Sequence, residues 1–307
     1  MDRREFLRIL AIAGIASGPA ACMTSGRSSR EDLYAAPPFG QARLLHFTDC
    51  HAQLLPVYFR EPNVNLGVGE ARNRSPHLVG QALLDHAGIS SASALGHALS
   101  YLDFTDAARR YGKVGGFAHL KTLVDRLRDE VGDGNSLLLD GGDTWQGSGT
   151  AYWTRGKDMV GACNRLGVDV MTGHWEFTYL DEEVLENIDA FAGEFVAHNV
   201  RLTDDAVFEG APAFDEDTGH VFRPYTLRTV GGRTFAIIGQ AFPYTPIANP
   251  ARFIPDWTFG IRAAELQSLI DAIRARENPD AIVLLSHNGM DVDVKLAGKV
   301  AGLDAIL

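Results

Sequence analysis

Asp49 and His51 stand one residue apart in Thr48-Asp49-Cys50-His51, and a second carboxylate, Asp143, follows two glycines in Gly141-Gly142-Asp143-Thr144. Two further imidazoles sit in short polar runs: His174 in Thr172-Gly173-His174-Trp175-Glu176, and His287 in Ser286-His287-Asn288-Gly289. Mixed carboxylate and imidazole donors suit first-row divalent metals such as Mn, Fe or Zn, whereas Mg and Ca prefer oxygen alone. Taken singly, an Asp-x-His pair or a Gly-Gly-Asp run is more often a cap or a tight turn. The set gains meaning from what precedes each member.

Every one of these motifs follows a short apolar run. Such runs cover residues 43–47, 136–139, 168–171, 194–197, 234–238 and 281–285, each of strand length and almost uniformly apolar. That pattern belongs to strands covered on both faces. Between them, residues 114–130 align Phe117, Leu120, Val124 and Leu127 on one helical stripe, and residues 260–277 do the same with Ile261, Leu266, Ile270 and Ile273. Strand–helix alternation predicts an α/β domain, and open α/β sheets bind ligands beyond the carboxyl ends of their strands. Four such ends, far apart in the chain, deliver Asp49, His51, Asp143, His174 and His287 to one edge. His198 and Asn199 follow the 194–197 run and are candidates for the same cleft. Cys50, between two ligands, is expected to point the other way as a packing thiol. Residues 52–112 break the rhythm and read as a long functional loop, with His77, His86 and His97 at its surface.

The 307 residues carry a net charge of −11 and a sequence pI near 5.3, which argues against a nucleic-acid surface. Residues 1–27 carry Arg3-Arg4, then Phe6-Leu7, then a short Ala/Gly-rich apolar stretch with a small-residue cleavage region near residue 21. This reads as a twin-arginine export signal to the periplasm and is too short for a membrane span. Pro19-Ala20-Ala21-Cys22 has a lipid-anchor flavour, but Pro19 occupies the usual Leu position, so a lipid anchor at Cys22 is not favoured. Residues 28–42 read as a tether. Of three cysteines, Cys22 leaves with the signal or is modified, and Cys50 and Cys163 cannot make a disulfide framework.

The motifs FTDCHAQL, GGDTWQG, GHWEF and SHNG, in that order, resemble the calcineurin-like metallophosphoesterases, in the branch that holds the secreted 5′-nucleotidases. The resemblance implies a layered α/β/β/α sandwich with mixed sheets over residues 43–307. It also implies a pair of metal ions bridged by Asp143, with Asp49 and His51 on the first ion and His287 on the second. His174 stands where that family usually has Asn, and Trp175 where it has a His that protonates the leaving group. The runs GHWEFTY, KVGGFAHLKTLVDRLR and IGQAFPYTPIANP are similar to the SoxB-type thiosulfohydrolases. That likeness implies two Mn(2+) ions, with Zn or Fe as alternatives, and release of sulfate from a cysteine S-thiosulfonate on a SoxYZ-type carrier. Asp143 and His174 would then be catalytic as well as metal-binding, and Trp175, Arg155, Tyr244 and Trp145 would meet the sulfonate or the carrier peptide.

A thiol leaving group, of pKa about 8.5, needs far less protonation than an alcohol, which fits Trp175 in place of an acid. The family also implies a GGHTH loop and a C-terminal substrate domain after the strand beginning near residues 302–307, so the chain reads as truncated and inactive alone. Two other readings stand beside this one: a secreted 5′-nucleotidase or cyclic phosphodiesterase, and an inactive metal-binding fragment.

Overall fold

A computed structural model describes residues 40, 42–58, 67–75, 77–100, 106, 109–110 and 112–307. The export-signal expectation and nearly all of the tether lie outside the described residues.

Two four-stranded sheets carry the fold. The first holds β1 (Arg43–Phe47), β2 (Ser136–Asp140), β3 (Val170–Met171) and β4 (Glu194–Phe195), side by side in that order and parallel throughout. The second holds β5 (Tyr225–Val230), β6 (Arg233–Gln240), β7 (Ala281–Ser286) and β8 (Ala305–Ile306), in the order β8-β7-β6-β5. It is mixed, since β5 and β6 form an antiparallel hairpin while β6, β7 and β8 run parallel.

Side-chain alternation along the strands builds the layers. Leu137 and Leu139 of β2 and Val170 of β3 meet Ile237, Val283 and Leu285 of the other sheet in one buried cluster. The intervening residues face outward, as period-two geometry requires. Leu138, Met171 and Phe195 pack under α1 (Phe117–Asp129), α2 (Lys157–Leu166) and α3 (Asp181–Ala190). On the far side, Ala236, Ile238, Ile282 and Leu284 pack under Leu266, Ile270 and Ile273 of α4 (Ala263–Arg276) and Leu296 of α5 (Met290–Ala297). The result is the expected α/β/β/α sandwich. Each fully buried Leu or Ile in these layers contributes roughly 1.5–3 kcal/mol relative to exposure.

The strands differ from the sequence reading in length. The run 168–171 narrows to Val170–Met171 because the Asp169 carboxylate takes the Leu138 N–H at 2.8 Å, where a ladder bond would otherwise form. Within the 52–112 segment, read as loop, the described residues form helices over Gly80–Ala87 and Ala94–Ser100. Its two ends are tied by an antiparallel pair, Val57–Tyr58 with Lys113–Val114.

Candidate metal centre

The carboxyl ends of β1, β2 and β3 continue into loops that hydrogen-bond to one another. Asp49 N–H donates to the Gly142 carbonyl at 3.0 Å, His51 N–H to the Asp143 carbonyl at 2.8 Å, and Ala52 N–H to the Thr144 carbonyl at 3.1 Å. Asp49, His51 and Asp143 take left-handed backbone angles, with φ of 56°, 45° and 59°. Each such residue costs on the order of 1–3 kcal/mol and persists because its surroundings over-determine it. Gly142, with φ of 99°, lies where an added Cβ would come within 3.1 Å of the Gly173 Cα, so the β2 and β3 loops can approach this closely only with glycine there.

Asp143 Oδ2 is the hub of the side-chain cluster. It lies 2.9 Å from His174 Nδ1, 3.5 Å from His287 Nε2 and 3.7 Å from His51 Nε2. Asp49 Oδ1 lies 3.7 Å from His51 Nε2 and 4.0 Å from His287 Nε2. Two donor triads result, Asp143–His174–His287 and Asp49–His51–Asp143, each with its donor atoms within 4.8 Å of one another. Asp143 belongs to both, as a bridging carboxylate must. All five ligand candidates therefore meet at one place.

The donor chemistry fits divalent cations. His174 Nδ1 and His287 Nε2 face each other at 3.1 Å, and two imidazole nitrogens so placed share one proton at most, leaving a lone pair pointing inward. His287 Nδ1 donates to the Gly141 carbonyl at 2.7 Å, the outer hydrogen bond that fixes a metal-binding imidazole with Nε2 inward. Burial works against charge on His287, but the Asp143 carboxylate and the Gly141 carbonyl outweigh it and bring the imidazole up to about 9. Burial likewise works to raise Asp143, yet the bonds from His174 and His287 hold its carboxyl well below the usual range.

Aromatic rings wall the cluster on two sides. Trp175 stands edge-on to His51 at 5.2 Å between ring centres, 38% exposed, and its backbone N–H donates to Asp143 Oδ1 at 3.0 Å. Phe242 lies against His174 at 4.0 Å, and Tyr244 packs on Phe242 at 5.8 Å, half-exposed and one ring removed from the ligands. Two clefts open from the centre. One, of about 700 Å³, runs between Asp49, His287, Phe242 and Met290. The other, of about 660 Å³, runs from His51 past Leu55 to Thr154.

The expected substrate contacts of His198, Asn199, Trp145 and Arg155 are corrected. His198 and Asn199 do not line the cleft: they are 1% and 0% exposed, with His198 Nε2 bonded to Gln240 at 2.6 Å and Asn199 bonded to the Ala241 and Gly260 carbonyls. Beyond β4 the chain leaves its sheet edge, as Ala197 N–H donates to the Arg223 carbonyl and His198 N–H to that of Gly239, which draws these residues inward. Trp145 is fully buried among Phe191 and Phe195 and cannot meet a substrate. Arg155 pairs with Glu183 at 3.2 Å beyond the end of the Gly149–Thr154 helix and borders neither cleft. Cys50 packs beside the first helical layer as an unpaired thiol, pushed up to about 12 by burial and by Asp140. His86 is exposed and His77 half-buried, and neither joins the triads; the side chain of His97 lies outside the description.

Two residues with a part in the centre were not singled out by the sequence. Phe242 lies in the run IGQAFPYTPIANP, but nothing in the sequence marks it as the residue of that run that meets His174. Glu176 stands inside a quoted motif, and the donors it faces become visible only in three dimensions.

No known family model matches the chain. Among curated proteins, the 5′-nucleotidases of Rattus norvegicus and Bos taurus are 32% and 31% identical over 200 and 198 residues, covering 63% of this chain and 32% of each relative. An apyrase of Tabanus yao is 30% identical over 204 residues, 63% of this chain and 33% of its own length. The chain thus spans about a third of the length of these curated relatives. Among solved structures, the Thermus thermophilus sulfate thiohydrolase SoxB is 36% identical with a TM-score of 0.68, covering 88% of this chain and 48% of that one. The calcineurin-like phosphoesterase YfkN of Bacillus subtilis, 18% identical with a TM-score of 0.57 over 86% of this chain and 70% of its own, shares the fold alone. These likenesses fit a member of the 5′-nucleotidase branch of the calcineurin-like phosphoesterases. Within that branch, the chain fits a SoxB-type member.

Proposed function

We propose that this chain is the metal-binding part of a dimetal hydrolase that releases sulfate from a cysteine S-thiosulfonate on a SoxYZ-type carrier protein. The observation that carries the reading is Trp175. It stands against His51 and beside Asp143, at the position where the related nucleotidases carry a proton-donating His, and indole offers no proton of suitable acidity. Such a site favours a leaving group that departs as an anion near neutral pH, as a persulfide or thiol does and an alcohol does not. The 36% identity to a SoxB over 88% of the chain points the same way.

Asp49, His51 and Asp143 would hold one divalent ion, and Asp143, His174 and His287 the other, with manganese the proposed metal. When bound, such a pair supplies Lewis acidity to the sulfonate and activates water. The chain's own residues orient the ligands, with Trp175 N–H and the His287–Gly141 bond setting the inward-facing atoms, and keep water off the His174 side with Phe242. Residues 1–27 would direct twin-arginine export to the periplasm, and residues 43–307 would form the catalytic domain. A 5′-nucleotidase is the second reading, favoured by the 32% identity to the rat protein.

The test is a paired assay of the natural protein, isolated from its cells and loaded with Mn(2+), on carrier-bound cysteine S-thiosulfonate and on AMP. Sulfate release with poor AMP turnover is the expected result. Efficient phosphate release from AMP without sulfate from the carrier would hand the assignment to the nucleotidase reading.

A further inference from the structure

Four main-chain N–H groups converge on one buried side chain. Glu176 Oε1 accepts from Thr144 N–H at 2.8 Å and Trp145 N–H at 2.9 Å, while Oε2 accepts from His174 N–H at 2.8 Å and Asp143 N–H at 3.2 Å. The residue is 0% exposed. Its donors come from two loops that follow different strands, β2 and β3. We propose that Glu176 is a positioning residue for both metal sites, a buried carboxylate that clamps the Asp143 loop to the His174 loop and fixes where their ligand atoms point. This rests on the dimetal reading of the site and is independent of the choice between sulfur and phosphorus substrates.

Three considerations support the assignment. Successive N–H groups aimed at one point form an anion-binding nest, and residues 143–145 make one here whose occupant is an internal carboxylate. Both oxygens receive donors only, so an isosteric amide cannot replace the group: its NH₂ would face two N–H donors and leave them unpartnered in a buried site. The clamp also seizes Asp143 from two directions. The Glu176 side chain holds the Asp143 N–H, while the neighbouring Trp175 N–H holds the Asp143 carboxylate. The left-handed φ of 59° at Asp143 is thereby tied down at the residue that both triads share. Behind the ligands, the same negative charge favours cations in front of them.

The test compares wild type with Glu176→Gln and Glu176→Asp by calorimetric titration of the metal-free chain with Mn(2+) alone, well below the melting temperature. Amide hydrogen exchange at residues 143–145 and 174 is followed in parallel. Glu176→Gln should weaken Mn(2+) binding at both sites about 10–100-fold, the range for supporting groups around metal ligands. Glu176→Asp keeps the charge with a shorter arm and should recover part of that loss. A role confined to general stability would lower the melting temperature and leave the affinity of the folded fraction unchanged. Wild-type affinity in a folded Glu176→Gln variant overturns the proposal. If wild type itself takes up no Mn(2+), the dimetal reading fails instead, and exchange still decides the clamp: faster exchange of the four amides in Glu176→Gln upholds it, unchanged exchange overturns it.

Discussion

Asp143 concentrates the chemistry of this molecule in one carboxylate, with three imidazoles within 3.7 Å of Oδ2 and a main-chain donor on Oδ1. Asp143→Asn keeps the shape but replaces one acceptor oxygen by a donor and removes the charge shared by both triads. Metal analysis after Mn(2+) loading should then give fewer than two ions per chain. Two tightly held ions in that variant would exclude a bridging role. His174→Asn is milder, since a shorter neutral oxygen donor takes the place of the ring, and at least partial occupancy should survive in the same measurement. That Asp49, His51, Asp143, His174 and His287 would converge was legible in the sequence because each follows a strand, and strand ends in such sheets share an edge. The same rule misled at His198 and Asn199. There the strand stops at Phe195, and bonds to the second sheet redirect the chain, which no property of those two residue types announces.

Among elements, the parallel core strands and the two long amphipathic helices were readable from periodicity, and most ends moved by only a few residues. Among the described residues of the 52–112 segment, the short helices Gly80–Ala87 and Ala94–Ser100 were not, since Gly80–Ala87 buries only Leu84 and offers no stripe to detect. Nor could periodicity reveal how closely β4 and β6 approach. Gly239 sits where an added Cβ would overlap the Val196 carbonyl, a contact with rigid backbone that no rotamer relieves. Gly239→Ala should therefore destabilise the fold by roughly 2–4 kcal/mol, in the upper range for overpacking. Urea unfolding checks this, and a loss below about 1 kcal/mol would mean the strands can separate there at little cost. A matching change at Gly232, where an added Cβ meets nothing within 4 Å, serves as the control, although its φ of 72° alone adds some strain.

At the scale of the molecule, acid should loosen the sandwich through histidines buried between its parts. Burial holds the His198 imidazole down to about 4, with the Gln240 bond pulling the other way. Burial, then nearby Arg201, does the same to His220, also to about 4. Both lie below the ordinary value of about 6.5, so protons bind the unfolded chain more readily. Stability is then complete above pH about 6.5 and falls as pH drops towards 4, at up to about 1.4 kcal/mol per unit for each histidine. His198→Gln, which keeps a donor for Gln240, should shrink the fall in urea midpoint between pH 7.5 and 5. An unchanged fall would show that His198 does not carry it.

His287 comes from the second sheet, whereas Asp49, His51, Asp143 and His174 all come from the first. An ion in the His174–His287 triad would act as a rivet through the seam between the two layers, while its neighbour would fasten loops on one side only. Occupancy of the riveting position must then tighten the seam, and any shear of one layer past the other must loosen that ion first. Chelation should accordingly strip the pair in two stages, and the stage that frees His287 should be the one that speeds amide exchange along β2 and β7.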